Sequence, residues 1–95
     1  FPSKELRNIV DQGKKEIKEG IIIAFCNFEE KVGVAVGVTE KLTDKYNAII
    51  FVKEAAEILG GKGGGGRKDF AQAGGINRSK IDEAYNLLRK KINKI

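Results

Sequence analysis

Gly60-Gly61-Lys62-Gly63-Gly64-Gly65-Gly66-Arg67-Lys68-Asp69-Phe70-Ala71-Gln72-Ala73-Gly74-Gly75 is the stretch on which the reading of this chain turns. Eight of its sixteen residues are glycine, out of twelve in the whole chain. Glycine costs more backbone entropy to order than any other residue and brings no side chain to a core. Such a run is either a flexible linker or a segment that uses bare backbone. Bare backbone offers unhindered N–H groups to an anion, or permits close approach to another chain. This run holds no serine, and it ends in the mixed string Arg67-Lys68-Asp69-Phe70-Ala71-Gln72, which is unlike a linker. It reads as a built loop.

The charge changes sign at this loop. Residues 1–61 hold nine Lys or Arg against ten Asp or Glu, whereas residues 62–95 hold nine against three. The loop and everything after it are therefore basic, which favours a polyanionic partner.

Upstream, Ser3 is placed to cap a helix over about 4–18 whose apolar positions Leu6, Ile9, Val10, Gly13 and Ile17 recur at helical spacing. Its other face, with Glu5, Arg7, Asp11, Lys14, Lys15 and Lys18, is charged. Ile21 to Phe28 is β-branched and aromatic with no charge, the pattern of a strand buried on both faces. After a turn at Glu29-Glu30-Lys31, Val32 to Val38 alternates valine with Gly33, Ala35 and Gly37, and pairs with its predecessor as an antiparallel hairpin. The smooth Gly-Ala-Gly face suits a closely packed helix better than a ligand. Thr43 or Asp44 is expected to cap a second helix over about 44–59, stopped by Gly60.

Downstream of the loop, Asp69 to Gly74 can form a short strand, and Ser79-Lys80-Ile81-Asp82 has the form of a capping box. The last helix, about 79–94, should bury Ile81, Ala84 or Tyr85, Leu88, Ile92 and Ile95, with Lys80, Arg89, Lys90, Lys91 and Lys94 toward solvent. The fold class is α/β: a small sheet with helices packed on it, in the order α-β-β-α, then the glycine loop or short strand, then α.

The bulk composition narrows the chemistry. Ninety-five residues make one domain, expected over 1–95. The chain starts at Phe1, so a piece of a larger protein is expected. No apolar run approaches the roughly 20 residues of a membrane span. The single cysteine, Cys26, cannot form an internal disulfide and reads as a small, buried, unreactive strand residue. With no histidine, a Cys–His pair or a Ser–His triad cannot be assembled, so the chain by itself is expected to be non-catalytic.

Two phosphate-binding motifs fail on inspection. A P-loop needs Ser or Thr after its Gly-Lys, and here Gly61-Lys62 precedes Gly63. Gly61, Gly63 and Gly66 match G-x-G-x-x-G, but the run follows a helix rather than a strand. The whole string is more specific. It resembles the signature of the DHH-associated family in the form found at the C-terminus of alanyl-tRNA synthetases, and the order of the preceding elements agrees over the whole chain. Lys68 stands where proline is common in that signature, and four glycines follow Lys62 where three are usual. The phosphodiesterase and single-strand exonuclease branch of the family carries a histidine after its paired glycines, and this chain has none.

The resemblance implies a cytoplasmic alanine–tRNA ligase as the parent, with ATP, magnesium and zinc serving domains elsewhere and no cofactor here. It implies tRNA(Ala) as partner, docked by the outer corner of its L shape, no membrane, and dimerisation of some members through upstream helices. The residues it singles out for nucleic acid are Lys62, Gly63, Gly64, Gly65, Gly66, Arg67, Lys68, Asp69, Gln72, Gly74 and Gly75. Physically, Lys62 and Arg67 suit phosphates, and the glycines suit backbone approach. A valine at Gly64 is expected to block that approach without removing charge. Phe70 or Tyr85 could stack on a base if exposed, Phe70 being expected in the core, and Arg67 could instead pair with Asp69 to shape the loop. The alternative reading is the substrate-binding domain of a DHH-type phosphodiesterase or exonuclease.

Overall fold

The computed structural model describes residues 3–17, 19–28, 31–61 and 64–92. Among them the elements run α1 (Ser3–Glu16), β1 (Ile21–Phe28), β2 (Lys31–Val38), α2 (Ala48–Ile58), β3 (Gly65–Arg67), β4 (Phe70–Gly75) and α3 (Ile81–Ile92). Short 3-10 turns at Glu40–Leu42 and Arg78–Lys80 lead toward α2 and into α3. The strands form one antiparallel sheet in the order β1-β2-β4-β3. The fold is the expected α/β arrangement, with one difference: the glycine stretch supplies two strands, and β4 runs through the interior of the sheet.

Strand alternation divides the core into two layers. Val32, Val34, Val36 and Val38 point to one face, where with Ala71 they meet Ala48, Phe51, Val52, Ala55 and Leu59 from α2 and its end, and Ala84 and Leu88 of α3. The other face of β2 is the smooth one. There Ala35 and Phe70 pack against Leu6 and Val10 of α1, with Ile22, Ala24 and Cys26 partly buried around them. A Cβ on Gly37 would come within 2.9 Å of the Lys14 Cδ, so the missing side chain is what lets α1 lie so close.

Several expectations need correcting. β1 is half-buried rather than buried on both faces, because it is an edge strand, and Cys26 is half-buried with it. Ile9, expected in the apolar stripe of α1, is 52% exposed. The second helix begins at Ala48, not near 44; Thr43 and Asp44 fall in the preceding turn, and Asn47 caps the helix by accepting the Ile49 N–H at 2.9 Å. Ser79 sits inside the 3-10 turn before α3 instead of capping the helix. Of the pair Ala84 and Tyr85, alanine is buried and tyrosine 43% exposed. Gly60 does end α2, in the left-handed region at φ 76°, where its N–H donates to the Glu57 carbonyl. The Ser3 side chain, Lys18, Glu29, Glu30, Lys94 and Ile95 lie outside what is described.

Candidate nucleic-acid interface

The register of the β3–β4 hairpin fixes where the singled-out residues go. Gly65 faces Gln72, Gly66 faces Ala71, and Arg67 faces Phe70 across the ladder. Arg67, Lys68 and Asp69 therefore stand at the tip, at the outer edge of the sheet. Lys62 and Gly63 lie outside the described residues.

The glycines are spent mostly on the chain's own backbone. A Cβ on Gly61 would come within 2.8 Å of Gly75 Cα, and one on Gly64 within 2.7 Å of Ala73 Cα and closer still to the Gln72 carbonyl oxygen. Gly66 has φ 153° and lies against the Phe70 carbonyl oxygen; a Cβ there would come within 2.7 Å of Ala71 Cα. Gly75 is buried, and a side chain there would come within 2.6 Å of the Leu59 carbonyl oxygen. Gly65 is different: a Cβ there would meet nothing within 4 Å. The expectation that a valine at Gly64 would obstruct only a ligand is thus overturned, since that side chain would first collide with β4. Gly74 is exposed, with a Cβ in ordinary contact at 3.4 Å from the Val32 carbonyl oxygen.

The carbonyls of the tip tie it to its neighbours. The Lys68 carbonyl accepts the Ala48 N–H at 3.0 Å, and the Asp69 carbonyl accepts the Val38 N–H at 2.8 Å. Lys14 also donates to the Asp69 carbonyl, at 3.1 Å. Its stem crosses β2 over Gly37, and its ammonium ends 3.7 Å from the Asp69 carboxylate. Arg67 Nε lies 3.2 Å from the same carboxylate, with the arginine side chain 68% exposed. One aspartate thus orients two cations, and an exposed pair of this kind contributes at most about 1 kcal/mol to stability. The pairing of Arg67 with Asp69 shapes the tip and leaves most of the guanidinium outward. Lys14, Glu40, Thr43, Arg67, Lys68 and Asp69 together line an open depression at this corner.

Lys14 was hidden from the sequence reading, which placed it on a solvated helix face. No local pattern marks it; its position follows from Gly37, on a different element. Arg7 is a second such residue. Its guanidinium sits 5.3 Å from the centroid of the Phe70 ring, and Phe70 is 8% exposed beneath it, so that ring belongs to the core as expected. Tyr85 is exposed but lies toward β1, at the other edge of the sheet, with its ring edge-on to Phe25 at 6.4 Å. The basic half of the sequence is therefore split between two places: the β3–β4 tip, and the far surface of α3 with Arg89 and Lys90.

Comparison with known proteins adds a family to this geometry. The profile of the DHHA1 domain matches residues 1–94. The chain is 42% identical to the alanine–tRNA ligase of Parvibaculum lavamentivorans over 97% of its own length and 10% of that protein. It is 48% identical to the alanine–tRNA ligase of Hyphomonas neptunium over 90% of its length, again 10% of the relative. The C-Ala domain from Aquifex aeolicus alanyl-tRNA synthetase superposes with a TM-score of 0.87 at 34% identity, over 95% of this chain and 80% of that one.

Proposed function

From the premise that the chain belongs to the DHHA1 domain family, we propose that it is the tRNA-binding C-terminal domain of an alanine–tRNA ligase. It grips the outer corner of tRNA(Ala) so that aminoacylation and editing, carried out by other domains, act on one substrate. The relatives span ten times the length matched here, so ATP, magnesium and zinc belong to those other domains under this reading, and the setting is cytoplasmic. The phosphodiesterase alternative is not favoured by relatives of this kind.

The observation that supports the reading most directly is the β3–β4 tip. It holds Arg67 and Lys68 outward on a hairpin hydrogen-bonded to α2 and β2, with Lys14 adding charge from α1. Folded RNA is recognised by shape and phosphates, for which fixed, exposed cations beside open backbone are suited. Gly65 supplies the open backbone, Gln72 stands opposite it, Gly74 lies exposed further along β4, and Lys62 and Gly63 precede the hairpin in the sequence. Gly64 and Gly66 serve the interface by holding the hairpin closed, and Gly75 by letting β4 lie against Leu59 at the end of α2.

The test is a titration of the chain with tRNA(Ala) over a range of salt. Arg67→Ala is expected to weaken binding and to lower the slope of log affinity against log salt by about 0.7, the release of one counterion from single-strand-like geometry. Lys53→Ala, on the exposed side of α2, is expected to leave both unchanged. Equal behaviour of the two variants would show that binding is diffuse and that the tip is structural.

A further inference from the structure

The sheet ends on two edges of opposite character. One is β3, three residues of glycine and arginine beside the cationic tip. The other is β1, eight residues with no charge and no proline. An edge strand presents a row of unpaired N–H and C=O groups, which proteins usually protect by shortening, charging or covering it. Among the described residues, no strand pairs with the outer side of β1.

The ladder shows which groups face out. The Thr39 N–H donates to the Gly20 carbonyl at 3.1 Å, whereas the Val38 N–H turns away to Asp69. With Ile22 opposite Gly37 and Ala24 opposite Ala35, the even-numbered residues of β1 exchange bonds with β2. The N–H and C=O groups of Ile21, Ile23, Phe25 and Asn27 therefore point outward. Apolar groups overhang this edge on both faces. Ile9 of α1 and Ile22 line a groove on one side, and Tyr85, Arg89 and Ile92 of α3 line one with Ile21 and Ile23 on the other.

We propose that the β1 edge is a contact surface for a second copy of this chain. The two β1 strands run antiparallel about a two-fold axis at Ala24, and the sheet continues unbroken from one copy into the next. The ladder parity suits this axis, because it sets Ile23 of each copy opposite Phe25 of the other, and both have outward-facing groups. The strand carries no charge, so this pairing sets no like charges opposite one another. The helix alongside adds charge complementarity. α3 is acidic in its first turn and basic in its last. Asp82, Tyr85 and Arg89 follow at helical spacing, on the side of α3 that carries the groove. The same axis runs the two α3 helices antiparallel, bringing the Asp82 end of each toward the Arg89 end of the other. An extended peptide from another protein would gain the ladder without this match. The cationic tips stay at the outer ends of the joined sheet, so this inference does not depend on the RNA reading.

Sedimentation equilibrium of the chain, from micromolar to millimolar concentration, tests the association. The mass is expected to rise from 10.4 kDa to twice that value. Arg89→Glu is expected to raise the dissociation constant about tenfold or more, and the pair Asp82→Lys with Arg89→Glu to return it toward the starting value. Both sites are exposed, and circular dichroism checks that the variants fold. Residue-resolved amide exchange locates the contact: the Ile21, Ile23, Phe25 and Asn27 amides should become protected as concentration rises, while Ile22 and Ala24 are protected throughout. Any of four results overturns the proposal. These are a monomer at every concentration, a dimer in which the odd-numbered amides stay unprotected, protection of those amides already in the dilute monomer, or a double variant no tighter than Arg89→Glu alone.

Discussion

A methyl group on Gly64 would press on the Gln72 carbonyl oxygen and come within 2.7 Å of Ala73 Cα, while one on Gly65, the next residue, would meet nothing within 4 Å. Backbone cannot move aside as the end of a flexible side chain can. Gly64→Ala is accordingly expected to destabilise the fold by about 1–3 kcal/mol, the usual cost of overpacking. Gly65→Ala should change stability by about half a kcal/mol or less, as surface substitutions do. Urea denaturation of the two variants checks this pair. Gly65→Val is the variant that tests backbone approach by RNA: tRNA affinity should fall with the salt slope unchanged and the fold intact. Glycine richness was visible in the sequence, and so was the alternative between binding and close approach. Which glycine serves which purpose was not, because the atoms that decide it lie on β4, several residues further along the chain.

At the level of elements, both hairpin strands and the last helix were legible, since period-two valines and period-3.6 apolar residues need no long-range information. The start of α2 was not. Thr43, Asp44 and Asn47 all have capping side chains, and the choice among them is made from outside the helix. The Ala48 N–H is claimed by the Lys68 carbonyl at 3.0 Å, which ties the first turn of α2 to the β3–β4 tip. Asn47→Ala should therefore cost about 1 kcal/mol through the lost cap, read from the denaturation midpoint. It should also loosen the tip, seen as faster amide exchange at Ala48. The docking of α3 rests on Leu88, fully buried against the valine face, and on Tyr46, whose hydroxyl donates to the Ile92 carbonyl at 3.2 Å. Leu88→Ala should cost about 2–5 kcal/mol. Tyr46→Phe should cost only about 1 kcal/mol, the net worth of one hydrogen bond. The misjudged burial of β1 has an equally physical source: an uncharged apolar strand looks interior, and only the strand order shows it to be an edge.

For the whole molecule, the order β1-β2-β4-β3 separates the two ends of the sheet by character, cations at one and an uncharged apolar edge strand at the other. The sequence showed a basic second half but could not show that folding sends its two parts in different directions. The same strand order has a consequence for synthesis. A ribosome delivers the chain from its N-terminus, so β1, β2 and the stretch of α2 emerge while the partner strand of β2 is still unmade. Until Phe70–Gly75 follows, the inner edge of β2 is open and its four valines have no finished sheet to complete. A nascent chain halted at Gly60 should stay collapsed and fluctuating, bind a hydrophobic dye, and give little of the circular dichroism of the full chain. Release of the glycine-rich segment then closes the sheet from within. The stretch whose tip is proposed to hold RNA thereby also sets the order of assembly: it must emerge before β2 gains its second neighbour, and α3 covers the valine face only after it.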